Sequence, residues 1–262
     1  MKNYIFIFLL LVLISCEKNE ITSPSNSNVD RYYPTTLHAL SPPELDSLQI
    51  KFNNKLLGTK YLAVLDSFGL LGFHRGLSRG NSSISDPAQA IALAKTAVVY
   101  LSDFSNVIDT SALSVQGVKH ATDAWSTDWA ILFKNQSYKG MEVWNTNILV
   151  IVADDFILLE GHHYKNIFIP KNKILSKERA KKKLVGKEIY YYCWGRDTVV
   201  IADSSINLEK IEQCIYPVVK NNAIELFAAW KVQISPFSWP MWYYFIDVVT
   251  GEILGVRQLF IC

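Results

Sequence analysis

The segment 226–254 constrains the fold more than any other part of the chain, because its residues alternate between two faces. Leu226, Trp230 and Ile234 share one face, whereas Lys231 lies on the other. A period of two is typical of a half-buried β-strand. The first half of the segment therefore predicts a long strand with one face toward a core.

A loop and two further strands are predicted after this strand. The two prolines of 236–241 cannot donate to a β-ladder and favour a loop. Alternation resumes over 242–249 and predicts a second strand, antiparallel to the first. Thr250-Gly251 then turns the chain, because glycine readily adopts the positive φ of a tight hairpin, and a third strand begins at Glu252.

The same segment carries a recognisable motif, in which Ala-Trp-Lys-Val is followed by a loop and then by Tyr-x-Ile-Asp-x-x-Thr-Gly-Glu-Ile-Leu. It resembles the PepSY domain in propeptides of thermolysin-like and fungalysin metallopeptidases, except that alanine is usual at Val248. The resemblance implies a cystatin-like layout of one helix on an antiparallel sheet, with the motif residues in structural roles. The matching positions are Ala229, Trp230, Lys231, Val232, Tyr244, Ile246, Asp247, Thr250, Gly251, Glu252, Ile253 and Leu254.

A second motif, Gln136-x-Tyr138-x-Gly140-x-x-Val143, lies near the middle of the chain. It resembles the core of the FTP module, which precedes PepSY in those propeptides. The two resemblances follow the expected order and together cover about 50–255. We expect Gly140 to permit a turn, and Gln136 and Tyr138 to satisfy backbone groups rather than contact a partner.

A first α+β module is predicted for residues 37–168. Its clearest helix begins at the N-cap Asp86, with Pro87 at the first helical position, and continues to about Phe104. A helix followed by an antiparallel meander favours packing of the helix on one sheet face. The other predicted elements are a short helix opened by Ser41, a strand-like stretch at 61–72, and strands at 129–133, 147–153 and 156–160.

A second α+β module is predicted for residues 169–262. Ser176 can cap a short helix that ends at Gly186, and Lys181–Lys183 fall in its last turn, where cations favour the helix dipole. A polyanion site is the alternative interpretation of these lysines. A hairpin over 188–202 then leads into the C-terminal sheet. The whole chain is thus predicted to be α+β, with two successive modules that each pack a helix on an antiparallel sheet.

The N-terminus predicts a bacterial lipoprotein. Residues 1–15 resemble a signal peptide, because a lysine precedes an apolar run that is too short to span a bilayer. Leu13-Ile14-Ser15-Cys16 resembles a lipobox, which makes Cys16 the predicted lipidation site and membrane anchor. Residues 16–36 are rich in Ser, Asn, Pro and Thr and predict a flexible tether.

We therefore expect a protein anchored by lipid in the cell envelope. Glu17 is not the aspartate that commonly retains lipoproteins in an inner membrane, so the outer membrane or cell surface is favoured. A plain secretory signal with an incidental cysteine is the alternative.

Three cysteines follow Cys16 in the sequence. In an oxidising compartment, Cys193 and Cys214 are the favoured disulfide candidates, because both adjoin strands that are predicted to share a sheet. Cys262 could replace either partner or stay free, so three pairings remain open.

The sequence offers little catalytic chemistry. It contains no His-Glu-x-x-His zinc motif, and the adjacent His162 and His163 would point to opposite faces of a strand. Gly-x-Ser-x-Gly occurs around Ser78, but the helix that a nucleophile elbow needs begins only at Asp86. Asp247 interrupts an apolar strand and is interpreted as a turn residue. We expect no catalytic residue, no metal and no cofactor.

The functional expectation is a binding role. The net charge of +2 gives no footprint of a nucleic-acid partner. The propeptide resemblance implies a non-catalytic protein that inhibits or chaperones a secreted metallopeptidase, in trans because the chain lacks the peptidase motif. The alternative is an envelope module that binds a polymer or an envelope protein through Trp239, Trp242 and Tyr243. An aromatic cluster that flanks a loop is usually the rim of a core, but an exposed one would mark an interaction surface.

Overall fold

The computed structural model describes residues 32–55, 65–71, 73–78, 84–122, 127–154, 156–171, 175–192, 196–236 and 242–259. It has an α+β fold, as the sequence predicts. The helices are α1 (Pro42–Lys55), α2 (Pro87–Tyr100), α3 (Ser102–Ser105) and α4 (Lys177–Leu184), with 3₁₀ turns at Thr110–Ala112, Asp203–Ser205 and Leu208–Lys210. The strands are β1 (Thr35–His38), β2 (Phe73–Ser78), β3 (Val115–Thr122), β4 (Thr127–Phe133), β5 (Ser137–Tyr138), β6 (Met141–Val143), β7 (Ile148–Val152), β8 (Phe156–Glu160), β9 (Glu188–Tyr192), β10 (Arg196–Val200), β11 (Glu212–Lys220), β12 (Ala223–Ile234), β13 (Trp242–Asp247) and β14 (Ile253–Gln258).

Five of these strands form an antiparallel sheet in the order β2-β8-β7-β4-β3, and α2 covers one face of it. The Asp86 carboxylate accepts a hydrogen bond from the Ala88 N–H at 3.0 Å and so starts α2 where the sequence predicts. Ala94 and Val98 of the helix pack, fully buried, against Ile131 and Phe133 of β4. The strands at 129–133, 147–153 and 156–160 are therefore confirmed, and so is the start of the predicted helix. The helix expected to continue to about Phe104 is divided at Leu101 into α2 and α3.

The predicted strand-like stretch at 61–72 is wrong over the residues that the structure describes. Residues 65–71 form a turn, in which the Asp66 carboxylate accepts hydrogen bonds from the N–H groups of Phe68 and Leu70, both at 2.9 Å. A short acidic side chain that bonds to its own backbone competes with strand pairing. The strand itself begins later, at Phe73.

Seven strands form a second sheet in the order β14-β13-β12-β11-β6-β5, with β1 paired beside β12. β11 to β14 are antiparallel, as the alternation of 226–254 predicts. Leu226, Val232 and Ile234 of β12 are buried on one face, where α4 contributes Ala180 and Leu184 to the same core. The hairpin β9–β10 covers another part of this core through Ile189.

Three strands of this sheet come from residues before 169. β1 pairs with β12 from Thr35 opposite Leu226 onward, and β6 pairs with β11 in parallel, with Val143 opposite Ile215. The predicted boundary at 169 therefore does not separate two independent sheets. Sequence periodicity could not show this, because β1, β5 and β6 have only two to four residues each.

The N-terminal edge of the fold also lies earlier than predicted. Residues 35 and 36, assigned to the flexible tether of 16–36, belong to β1. The lipidation site Cys16 and the signal segment 1–15 lie outside the described residues. Within the ranges that the structure describes, no helix is both long and apolar enough to cross a membrane.

Candidate interaction surface on the C-terminal sheet

Asp247 is a fully buried carboxylate at the end of β13. It accepts hydrogen bonds from the Val249 N–H and the Thr250 N–H, both at 3.1 Å, and from the Thr250 hydroxyl at 2.6 Å. The Gly251 N–H donates to the Asp247 carbonyl at 2.9 Å, and Gly251 has a φ of +72°. This is the turn-forming role that the sequence analysis expects for Asp247, Thr250 and Gly251.

A tyrosine that precedes the first strand completes this site. The Tyr33 hydroxyl donates to the Asp247 carboxylate and lies 3.1 Å from the Ala228 carbonyl oxygen. Burial and the adjacent carboxylate raise the pKa of the Tyr33 phenol well above its usual range, so Tyr33 is a donor at all physiological pH values. The contact joins residues that are 214 positions apart, and no local sequence signal could reveal it.

Trp230 has a structural role on the opposite face of β12. Its indole N–H donates to the Leu175 carbonyl oxygen at 3.0 Å, immediately before α4, and the Lys177 ammonium lies 5.8 Å from the ring centroid. The indole therefore ties the start of the helix to the sheet. Its burial is nearly complete, so Trp230 offers little surface to a partner.

The Gln136 motif forms the β5–β6 hairpin. Tyr138 and Met141 pair across a two-residue turn in which Lys139 and Gly140 have φ values of +50° and +78°. Positive φ at both central positions is characteristic of a type I′ turn. Gly140 therefore permits the turn, as expected.

Gln136 acts as a clamp between the two sheets. Its side-chain amide donates to the Tyr164 carbonyl oxygen and accepts from the Tyr164 N–H, both at 2.8 Å. Tyr164 lies in the segment that connects the first sheet to α4. The amide thus satisfies two backbone groups at once, and the Tyr138 ring packs at the edge of the second core.

The face of the seven-stranded sheet that points away from α4 carries a layer of aromatic side chains. Phe245 is fully buried at its centre, stacked on Tyr216 at 3.9 Å between ring centroids and packed against Trp144 at 4.9 Å. Trp144 also meets Tyr243 edge-on at 5.5 Å. We call this surface, formed by Trp144, Tyr216, Phe227, Tyr243 and Phe245, the aromatic face.

Glycine on the edge strand makes room for this layer. A Cβ atom at Gly255 would collide with the Tyr216 ring, so glycine lets the tyrosine lie flat across β13. Arg257, on the same edge strand, pairs with Tyr243 and is exposed beside it.

Lys231 lies at the edge of the aromatic face and links its rings to two carboxylates. Its ammonium contacts the carboxylates of Glu142 at 2.9 Å and Glu212 at 3.0 Å, and it lies 5.6 Å and 5.4 Å from the ring centroids of Trp144 and Tyr243. Burial disfavours the charged form, but the two carboxylates outweigh burial and raise the pKa of Lys231. The lysine thus ties β12 to β6 and β11 beneath the exposed aromatic edges.

The three aromatic residues singled out from the sequence do not form one surface. Tyr243 is half-buried on the aromatic face, whereas Trp242 is 2% exposed and packs in the core on the opposite side. Consecutive residues of a strand point to opposite faces, so the alternation itself could have excluded a shared site. Trp239 lies outside the described residues. The prediction of Trp242 as an interaction residue is wrong.

The favoured cysteine pairing rested on one shared sheet, and that premise is wrong. β9, which precedes Cys193, belongs to a two-stranded sheet with β10, whereas Cys214 lies on β11 of the seven-stranded sheet. Cys214 is a free, buried thiol, and burial raises its pKa to about 12. Cys193 and Cys262 lie outside the described residues. The structure therefore gives the predicted Cys193–Cys214 disulfide no support.

The histidine pair lies in a connecting segment rather than in the strand that the sequence analysis assumed. His162 Nδ1 lies 3.3 Å from the Leu71 carbonyl oxygen, and burial lowers its pKa. His163 is 5% exposed, and burial together with the neighbouring His162 ring lowers its pKa to about 4. Among the described residues, no group of three or more His, Cys, Asp or Glu side chains could hold a metal ion.

The Gly-x-Ser-x-Gly motif around Ser78 lies at the end of a described segment. Ser78 is the last residue of β2, residues 79–83 lie outside the described ranges, and the next helix among the described residues begins at Pro87. A nucleophile elbow needs a helix directly after the serine, and the start of α2 does not meet this requirement.

Comparison with known proteins gives no family assignment. No protein-family model matches the chain, and no curated protein matches it. Among solved structures, the Bacillus megaterium YpeB C-terminal domain is similar at 12% identity and a TM-score of 0.33, over 86% of this chain and 100% of that domain. The similarity is compatible with a PepSY-like interpretation, but at this TM-score it carries no argument about fold or function.

Proposed function

We propose that this chain is a non-catalytic, lipid-anchored protein that binds a secreted metallopeptidase in trans and inhibits or chaperones it. The proposal joins two sequence expectations, the propeptide resemblance and the lipobox at Cys16, to one structural observation. That observation is the aromatic face, which offers a partner a pre-formed surface.

The aromatic face has the composition and rigidity of a protein-binding surface. Aromatic residues and arginine are enriched in interfaces and among the residues that dominate binding energy. Tyr216 and Phe245 are stacked and buried, so they hold the half-exposed Trp144 and Tyr243 in fixed positions. No residue of the described helices joins this aromatic cluster, whereas α4 covers the opposite face of the sheet.

The motif residues support a binding role rather than a catalytic one. The side chains of Asp247, Gln136 and Trp230 are each engaged in hydrogen bonds to the protein's own backbone. They therefore fix the sheet and its connections. The proposal therefore assigns partner binding to the aromatic face of the sheet that these residues stabilise.

Capture from the organism's own envelope and secretome tests the proposal. The full-length processed chain should recover a thermolysin-like peptidase, and the activity of that peptidase on casein should change in the complex. Arg257→Glu is the sharpest variant, because Arg257 is exposed beside Tyr243 and its replacement removes no core contact. It should weaken capture, whereas Lys119→Glu on the other sheet should not. Recovery of no peptidase would contradict the proposal.

An envelope polymer is the second candidate partner. The half-exposed edges of Trp144 and Tyr243 favour it, because aromatic rings beside polar groups also suit sugar rings. Binding of isolated cell-wall glycans, lost on Tyr243→Ala and retained by the matched variant Tyr100→Ala, would favour this candidate. Unchanged glycan binding by Tyr243→Ala would exclude it.

A further inference from the structure

A second surface, on α4 and far from the aromatic face, concentrates positive charge. Arg179, Lys182 and Lys183 are exposed and share one side of the helix at helical spacing, and the exposed Lys187 follows the helix end. We call these four residues the basic patch. Lys181 does not belong to it, because its side chain is only 14% exposed and its ammonium pairs with Asp203 at 2.9 Å.

Exposed apolar side chains lie next to the basic patch. The β9–β10 hairpin begins directly after Lys187, and its register places Glu188 opposite Val200 and Tyr190 opposite Thr198 on the outer face. Tyr190 is 51% exposed and Val200 54%, whereas Ile189 on the inner face is buried. Val185, between the helix and the hairpin, is also exposed.

Acidic groups on this surface are outnumbered. Glu178 and Glu188 are exposed near the basic patch, and the Asp203 carboxylate is taken up by Lys181. The surface therefore combines a net positive charge with an aromatic and two aliphatic side chains. This combination is typical of surfaces that lie in the headgroup region of an anionic membrane.

The position of the N-terminal chain is an independent observation that points to the same partner. The described chain begins at Tyr32, and Tyr33 is fixed on Asp247. Asp247 in turn holds Thr250, and the aliphatic stem of Lys183 lies 3.4 Å from where a Cβ atom on Gly251 would sit. The segment that leads back to the predicted lipidation site thus joins the fold beside the basic patch.

We propose that the basic patch docks on an anionic lipid bilayer, with Tyr190, Val185 and Val200 at the headgroup boundary. Fifteen residues separate Cys16 from Tyr32 in the sequence, which limits the distance between these two residues to about 55 Å. A lipid on Cys16 would therefore hold the patch at high effective concentration beside the membrane. Docking fixes the orientation of the fold and leaves the aromatic face free for whichever partner it binds.

Vesicle binding tests this proposal without the lipid anchor. The mature chain 16–262 with Cys16→Ser contains every described element. It should co-sediment with vesicles of phosphatidylcholine that contain 30 mol% phosphatidylglycerol, and not with phosphatidylcholine alone. Lys182→Glu/Lys183→Glu should reduce the vesicle affinity about 30-fold or more, because each cation contributes roughly a factor of five near an anionic surface. Raising the salt concentration to 0.5 M should weaken binding similarly.

The matched control is Lys119→Glu/Lys134→Glu, which reverses the exposed Lys119 of β3 and the exposed Lys134 directly after β4 and should leave vesicle affinity unchanged. Tyr190→Ala should reduce affinity a few-fold at constant charge. Equal loss in both double variants would overturn the proposal, since it would reflect net charge alone. Stronger binding to soluble polyphosphate than to vesicles would also overturn it, in favour of a polyanion site.

Discussion

The two sheets of this protein are assembled in opposite ways. Four of the five strands in the first sheet lie within 115–160, and α2 packs on one face of this sheet. The second sheet draws its seven strands from 35–38, 137–143 and 212–258. The first is therefore built mainly from neighbours in sequence, and the second from segments up to about two hundred residues apart.

The two sheets also differ in how they are held together. The first relies on apolar burial, with Ile131, Phe133 and Val150 inaccessible to solvent. The second has a comparable core but adds buried or partly buried polar residues where distant segments meet: Asp247, Lys231 and Gln136. Long-range assembly thus depends on polar side chains with specific partners, because a four-residue strand buries little apolar surface.

The largest expected effect breaks the second sheet at Asp247. Asp247→Ala removes the side-chain acceptor of two backbone N–H groups in a buried site, and it leaves the Tyr33 hydroxyl with the Ala228 carbonyl oxygen alone. The free energy of unfolding should fall by about 4 kcal/mol, measured by urea denaturation. Asp203→Ala is the matched control, because the Asp203 side chain is 75% exposed and its ion pair with Lys181 is screened by solvent, and it should cost less than about 1 kcal/mol.

Tyr33→Phe separates the N-terminal contact from the turn. It keeps the ring and removes the hydroxyl, so the free energy of unfolding should fall by about 1–2 kcal/mol, well below the loss for Asp247→Ala.

Equal losses for Asp247→Ala and Asp203→Ala would mean that the buried carboxylate does not hold the second sheet together.

Acid should weaken the segment that joins the two sheets. The pKa of His163 is about 4 in the folded chain and near 6.5 in the unfolded chain, so the unfolded state binds the proton first. Neutral His163 therefore contributes about 3 kcal/mol to the free energy of unfolding. This contribution is fully present above pH 6.5 and is lost as the pH falls toward 4. The neighbouring titratable group is His162, whose pKa is also lowered.

The pH dependence has a direct control. His163→Leu keeps the hydrogen bonds that the residue's backbone makes and removes one titrating group. The slope of unfolding free energy against pH between 6.5 and 4 should decrease, with a remainder from His162. An unchanged slope would show that burial of His163 does not govern acid stability.

Gln136→Ala should loosen the connection between the sheets by about 2 kcal/mol, because both backbone groups of Tyr164 lose their side-chain partner. Urea denaturation measures the change, and hydrogen exchange at the Tyr164 amide localises it. Gln116→Ala, at an exposed position on β3, should change stability by less than about 0.5 kcal/mol. Similar losses of stability in the two variants would contradict the role of Gln136 as a clamp.

The smallest expected effect is a gain. Lys139 has a φ of +50° in the β5–β6 turn, where asparagine is better tolerated. Lys139→Asn should raise the free energy of unfolding by about 0.5–1 kcal/mol, measured by thermal denaturation. Lys134→Asn, outside the turn, should give no gain, and a loss in Lys139→Asn would contradict the assignment of the turn.

The elements that the sequence predicts are those with a strong local signal. Asp86 and Pro87 mark the start of α2, and strict alternation marks β4, β12 and β13. β3 gives little signal, because its sequence Val-Gln-Gly-Val-Lys-His-Ala-Thr is almost entirely exposed. β1 lies in a polar stretch that composition alone assigns to a tether.

The candidate site was only partly accessible from sequence. The alternation of 242–249 defines two faces, but it does not say which face meets α4. Trp144 joins Tyr216 and Tyr243 only through pairing of β6 with β11, between segments about seventy positions apart. Lys231 gave the one local signal, a cation within an apolar strand, and it lies at the rim of the aromatic face.

The most direct test of the account is a titration of a secreted thermolysin-like peptidase with the full-length processed chain, followed by both binding and residual peptidase activity. The account predicts a dissociation constant in the micromolar range or below, altered activity in the complex, and at least a tenfold weaker affinity for Arg257→Glu than for Lys119→Glu. Absence of binding at micromolar protein, or equal affinities for both variants, would contradict a peptidase-binding role for the aromatic face.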